Sequence, residues 1–250
     1  MQSQPANVLS QSVLKELDQV FRELEEDEYV RVAVLTGSGR FFCAGADIKE
    51  LAEVSTAHRG TEFASHGQVL LNRIERLDKP VIAAINGTCV GGGLELALAC
   101  HMRVAAAGVA LGLPEIKLGL IPGFGGTLRL PRIIGASQAA ELILTGELIT
   151  AEQALVLGLV NRVVPAQDLL QETMAIAAKI AEKGRLAVRA AMRAIRSGLD
   201  RPLAQGLVRE AELFGGVCET PDKKEGIQAF LEKREPKFAD PEPQVRRSGS

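Results

Sequence analysis

Residues 80–100, PVIAAINGTCVGGGLELALAC, constrain this chain more than any other stretch. They approach the length of a membrane span, but Asn86, four glycines and Glu95 interrupt them. A carboxylate near the middle of a bilayer costs roughly 3 kcal/mol on insertion scales, which argues against a span. The stretch reads instead as the buried core of a folded domain that contains a polar site. A glutamate placed there needs a chemical reason.

The 250 residues, 46% hydrophobic and 24% charged, fit one domain of ordinary size, with two small ones as the competing count. Lys plus Arg (29) nearly balance Asp plus Glu (31), so no global positive field exists to hold a polyanion. With no Trp and one Tyr, stacking of single-stranded nucleic acid has little to work with. Cys43, Cys89, Cys100 and Cys218 form no CxxC pair, and His58, His66 and His101 are the only histidines. Structural zinc is not expected, and a reduced, intracellular setting is the simpler one. The start, MQSQP, has neither the basic nor the apolar region of a secretory signal.

Ser10 can cap a helix whose apolar residues Val13, Leu14, Leu17, Val20, Phe21 and Leu24 recur at helical spacing. A buried strand is predicted over 30–36, a glycine-bearing loop after it, and an amphipathic helix over 61–78 that Lys79-Pro80 ends. VIAAING reads as another buried strand, GGGLELALAC as helix, and RVAAAGVALGLPE as short extended pieces. From residue 137 the pattern is helical over 137–145, 151–157, 167–183, 185–197, 203–215 and 222–233, with a strand over 159–164. Alternating strands and helices followed by a helical third imply an α/β core. The polar end, PEPQVRRSGS, is expected to be a disordered tail.

Three segments can carry chemistry. Gly91-Gly92-Gly93-Leu94-Glu95 joins a strand to a helix, where glycines permit close backbone approach and free amides favour negative charge. The same glycines would serve tight helix packing with Glu95 turned to solvent, and the local pattern does not choose. Leu113-Pro114-Glu115 is followed by Gly123-Phe124-Gly125-Gly126-Thr127, and Glu115 could equally sit in a surface loop. Cys43-Ala44-Gly45-Ala46-Asp47-Ile48-Lys49 could present backbone donors and an ammonium to an anion, or be a loop with a solvated lysine. No dinucleotide fingerprint, phosphate-binding GxxxxGK[ST] or GxSxG elbow occurs. The cysteines in apolar strings read as small buried hydrophobes, and the histidines as structural or solvated.

FCAGADIKEL, NGTCVGGGLELALAC and LPEIKLGLIPGFGGTLRLPRIIG, in this order, resemble the crotonase family of enoyl-CoA hydratases and isomerases, and the likeness runs over residues 7–240. The resemblance implies an α/β spiral of ββα units over 1–185, with a helical C-terminal trimerisation region over 186–240 and the tail at 241–250. It implies a homotrimer or dimer of trimers acting on acyl-CoA, without metal and without a cofactor beyond the coenzyme A of the substrate. Membrane and nucleic acid are not expected partners. The expected compartment is the cytoplasm of a bacterium, or the mitochondrial matrix if a transit peptide was removed.

By the same resemblance, the amides of Ala46 and Gly92 form the oxyanion hole, and Glu95 and Glu115 hold the catalytic water. Glu95 would be its base and Glu115 the donor of a proton to C2, with the Gly123 amide helping to position the water. Retention of both glutamates points to a hydratase, since members with only the later one tend to be isomerases. Coenzyme A would lie against the backbone of Ala44, Ala46, Asp47 and Ile48 and against Lys49. Phe214, Phe230 and Lys233 match positions that reach the coenzyme or acyl tail; phenylalanines at helical spacing are otherwise core. Departures are a first strand that is missing or very short before Asn7, His101 in place of a common aspartate, and Leu111 in place of a phenylalanine. An isomerase or another enolate-stabilising enzyme is the alternative within the fold. The basic stretch AKIAEKGRLAVRAAMRAIR motivates a relative that binds RNA.

Overall fold

Short strands laid down in pairs organise the chain, whose computed structural model describes Met1 and residues 6–238. The expected tail at 241–250, and the end of the second region at 240, lie outside the described residues. The Ser10 hydroxyl accepts the Val13 amide and opens α1 (Gln11–Glu26), which turns Leu14 and Phe21 into the core. Strands β1 (Ala33–Thr36) and β2 (Phe41–Cys43) then lead to α2 (Ile48–Ala52) and α3 (Ala57–Arg76). The pair β3 (Val81–Ile85) and β4 (Thr88–Val90) leads to α4 (Gly92–Ala99). The pair β5 (Met102–Ala106) and β6 (Ala110–Gly112) leads through a 3-10 turn (Pro114–Leu118) to α5 (Gly126–Ile134) and α6 (Ala136–Thr145). After these come β7 (Ile149–Thr150), α7 (Ala151–Val156), β8 (Arg162–Val164), α8 (Leu169–Ala181), α9 (Arg185–Leu199), α10 (Leu203–Cys218) and α11 (Pro221–Leu231).

The first strand of each pair joins one sheet, β1-β3-β5-β8, and the second joins the other, β2-β4-β6-β7. Among the described residues the ladders are parallel except β6 with β7, with registers such as Ala83↔Arg103 and Cys89↔Leu111. Two strands and a helix per turn make a spiral of ββα units, the fold the resemblance implied. The continuous apolar run in β3 follows from burial on both faces. Val81, Ala83 and Ile85 face the main core with Phe42, Leu94 and Leu111, whereas Ile82 and Ala84 face a smaller cluster closed by Leu169 and Ala177 of α8.

Several boundaries differ from the sequence expectation. The first strand begins at Ala33 and is half-buried throughout, because it forms the edge of its sheet. Helix α3 starts earlier, at Ala57, where the Thr56 hydroxyl accepts the Arg59 amide. The loop after β2 contains α2, capped by Asp47, whose carboxylate accepts the Lys49 amide at 2.8 Å. The helical third begins at Gly126, and Pro131 sits inside α5. Among the described residues no helix is long and apolar enough to cross a membrane.

Candidate active site

Gly91 makes the turn from β4 into α4 at φ +55° and ψ −134°, a conformation that a side chain strongly disfavours. Its amide donates to Gly112 O at 2.9 Å, which fixes the turn on β6. The next amide, on Gly92, belongs to the first turn of α4 and has no partner within the helix. The loop after β2 lies against it: a Cβ added to Gly92 would stand 3.3 Å from Ala46 N. The Ala46 and Gly92 amides therefore border one small space.

That loop is braced by residues before α1. Leu9, fully buried, forms an isolated parallel bridge with Ala46, and its amide donates to Gly45 O at 2.8 Å. Asn7 Nδ2 donates to Ser38 O at 2.9 Å and to Phe41 O at 2.8 Å. In the sequence Asn7 marks only the point where the likeness begins, since side-chain bonds to a backbone more than 30 positions away leave no local pattern. The Ala44 amide donates to Ala6 O at 3.1 Å, so it is engaged within the chain.

Glu95 lies one turn into α4 and is 2% exposed, which excludes the solvent-facing alternative. Its Oε1 accepts the amides of Phe124 at 2.8 Å and Gly126 at 2.7 Å. Burial pushes its pKa up to about 7, and the charge of Glu115 adds to the rise against the lowering effect of the two amides. Glu115, on the 3-10 turn behind Pro114, is also raised by burial. Its Oε2 is buried without a hydrogen-bond partner, and its Oε1 would lie 3.1 Å from a Cβ on Gly91. Two carboxyls with heightened proton affinity thus stand beside the turn that presents the Gly92 amide.

The structure brings Ala46, Gly92, Glu95, Glu115 and Gly123 into one region. Gly123 O accepts Gln68 Nε2 at 2.9 Å, and the amides that hold Glu95 are those of the following residues, Phe124 and Gly126. Phe124 stacks on Phe63 with centroids 5.7 Å apart and fills the room that Gly67 leaves. Neither its amide nor its ring was singled out from sequence, where the only signal was an aromatic inside a glycine cluster. Ile48 and Lys49 stand exposed on α2 beside the loop. Phe214 and Phe230 are 70% and 81% exposed on α10 and α11, and Lys233 follows them on the surface. The core-packing alternative for the two phenylalanines is therefore incorrect within this chain.

Burial pushes the thiols of Cys43 and Cys100 up to about 12 and raises that of Cys89 well above its ordinary value, so all three stay protonated. His101 is structural: Nδ1 accepts the Val81 amide at 2.9 Å, Nε2 approaches Glu75 O at 3.3 Å, and burial drops its pKa to about 4. His58 approaches Glu62 at 3.3 Å and His66 Nδ1 meets Gln11 Oε1 at 2.9 Å. Among the described residues no group of His, Cys, Asp and Glu could hold a metal ion. In the basic stretch, Arg193 binds Asp78 and Arg196 Nη1 donates to Arg76 O at 2.6 Å, so part of its charge is tied to the C-terminal end of α3. A cavity of about 760 Å³ opens between α3, α5 and α9, lined by neither Glu95 nor Glu115.

A family profile described as enoyl-CoA hydratase/isomerase matches residues 1–241. The chain is 47% identical to a probable enoyl-CoA hydratase of Bacillus subtilis, over 94% of this chain and 91% of that protein. It is 43% identical to crotonyl-CoA hydratase of Syntrophomonas wolfei, over 93% and 89%. The crystal structure of enoyl-CoA hydratase from Bacillus anthracis superposes with a TM-score of 0.90 at 46% identity, covering 94% of this chain and 92% of that one. Sequence, spiral fold and the glycine turn beside Glu95 and Glu115 agree: the chain belongs to the enoyl-CoA hydratase/isomerase family.

Proposed function

We propose that the protein is an enoyl-CoA hydratase that adds water across the C2–C3 double bond of a trans-2-enoyl-CoA. The observation that carries this reading is the pair of carboxyls, Glu95 buried and Glu115 half-buried with its Oε2 out of contact with solvent, beside the Ala46 and Gly92 amides. The amides receive the thioester oxygen and stabilise it most when it becomes an enolate. Ionised Glu95, its Oε1 fixed by two amides, takes a proton from water as the water oxygen bonds to C3. Protonated Glu115 then gives its proton to C2, and the enolate collapses to the 3-hydroxyacyl thioester. One carboxyl must be ionised and the other protonated; burial raises the proton affinity of both, and a charge on one favours the proton on the other. Proton exchange between the two carboxyls and solvent restores the starting state.

Coenzyme A extends along residues 44–49, with Lys49 meeting its phosphates. Because the Ala44 amide is already bonded to Ala6 O, the amide of Ala46 is the donor left to the thioester. The reaction needs no cofactor beyond the coenzyme A of its substrate and proceeds after dialysis against a chelator. The test is loss of conjugated enoyl-thioester absorbance over a panel of chain lengths, with chromatography of the products. A 3-hydroxyacyl-CoA product supports hydration; a shifted double bond supports the isomerase alternative. No turnover by wild type on any member of the panel overturns the reading.

The C-terminal helices carry apolar side chains without cover in the single chain, among them Leu203, Leu207, Phe214, Phe230 and Leu231. Further copies of the chain cover them in a homotrimer or dimer of trimers, and Phe214, Phe230 and Lys233 then border a neighbouring acyl-CoA site. A monomer at micromolar concentration by light scattering contradicts this assembly.

A further inference from the structure

Arg129, on α5, is 8% exposed, and each nitrogen of its guanidinium donates a hydrogen bond. Nη1 donates to Phe124 O at 2.9 Å, Nη2 to Asn72 Oδ1 at 2.7 Å and Glu75 Oε2 at 2.9 Å, and Nε to Glu75 Oε2 at 3.1 Å. Asn72 and Glu75 both lie on α3, so the arginine joins that helix to the turn that starts α5. The turn closes around the side chain, since a Cβ on Gly125 would collide with the guanidinium. Phe124 is consequently held at both ends of its backbone, its amide on Glu95 Oε1 and its carbonyl on Arg129.

A buried ion pair contributes little net stability compared with an apolar residue of the same volume. What an arginine supplies and an apolar residue cannot is a planar fork that fixes three acceptors at once. We propose that Arg129 is a positioning residue: anchored to α3 by Asn72 and Glu75, it fixes the Phe124 carbonyl and so aims the Phe124 and Gly126 amides at Glu95. For its kinetic readouts the inference rests on the hydratase reading.

The charge acts on the same carboxyl. Facing Glu95 are Glu115 from the 3-10 turn, which raises its proton affinity, and Arg129 from α5, which lowers it. Cys43 on β2 is a neutral thiol, and Glu75 on α3 is paired with the guanidinium itself. Removing the arginine charge therefore moves Glu95 towards the protonated form.

The test uses the full chain with Arg129→Met, Arg129→Lys and Glu75→Gln, measured by crotonyl-CoA hydration and by carboxyl-carbon NMR titration of Glu95, assigned with Glu95→Gln. Arg129→Met lowers kcat about 10- to 100-fold with KM nearly unchanged, as misaimed catalytic groups do. The acid limb of its kcat/KM profile and the Glu95 titration midpoint both move to higher pH. Arg129→Lys keeps the acid limb and midpoint near wild type but not kcat, because an ammonium cannot make the fork. Glu75→Gln falls between wild type and Arg129→Met in kcat. Unchanged kcat and midpoint in folded Arg129→Met, with only a lower Tm, overturns the inference. If that variant does not fold, wild-type kcat in Arg129→Lys overturns it instead. An inactive wild type sinks the hydratase reading, whereas the NMR midpoints still decide the role of Arg129.

Discussion

Glu95 Oε1 and the amide of Gly126 are 2.7 Å apart, a bond that ties the first turn of α4 to the first residue of α5. It fixes one carboxyl oxygen from both the Phe124 and Gly126 amides and leaves the other for chemistry.

Glu95→Gln tests the cost of keeping that carboxyl buried. A carboxyl whose folded pKa of about 7 exceeds its ordinary 4.5 favours folding most at low pH. That contribution is lost as pH rises from 4.5 to about 7 and is absent above. Glutamine keeps the acceptor for both amides and carries no charge. The variant is expected to match wild type near pH 4.5 and to gain on the order of 3 kcal/mol by pH 8, at about 1.4 kcal/mol per pKa unit. Its kcat falls about 100-fold or more, the range for loss of a general base. Thermal unfolding across pH reads the gain, and a gain independent of pH contradicts the buried titration.

Glu115→Gln removes a carboxyl whose ionised form raises the proton affinity of Glu95. The Glu95 titration midpoint should move to lower pH, and hydration should fall to a small fraction of wild type because no donor remains for C2. Carboxyl NMR checks the first outcome and steady-state kinetics the second; an upward or absent shift rules out the coupling of the two carboxyls.

Gly91→Ala places a methyl in a glycine-only conformation, and its Cβ would stand 3.1 Å from Glu115 Oε1. The backbone strain alone costs about 1–3 kcal/mol. Displacement of Glu115 and of the Gly92 amide should lower kcat more than the stability loss explains. Denaturant unfolding together with kcat per folded molecule separates the two, and a stable variant with normal kcat would show that the turn tolerates a side chain.

Iodoacetamide at pH 8 should label the native protein at Cys218 alone. Cys43, Cys89 and Cys100 are buried with raised pKa values, whereas Cys218 is partly exposed. Peptide mass mapping reads the sites, and modification of any of the other three before unfolding contradicts the packing around β2, β4 and α4.

Much of the frame was legible locally. The apolar run at β3, the helical spacing of Leu14 and Phe21, and the Ser10 cap each follow from short-range pattern, and the structure holds all three. The glycine and glutamate motifs marked residues 43–49, 91–95 and 113–127 as candidates and left an ordinary structural role open for each. The early start of α5 was hidden, because Gly125, Gly126 and Pro131 read as breakers while tertiary contacts through Arg129 hold the turn.

By itself the sequence determined that a carboxylate lies inside an apolar segment and that glycines surround it. Whether Glu95 faces solvent or a buried site was undecided, because one helix pattern serves both. Only the tertiary structure decided it: folding brings Phe124 and Gly126, about 30 positions away, onto Oε1 and places Glu115 beside Gly91. Burial and a second carboxyl, both products of contacts distant in the chain, outweigh the lowering effect of the two fixed amides and turn an ordinary glutamate into a group that titrates near neutrality.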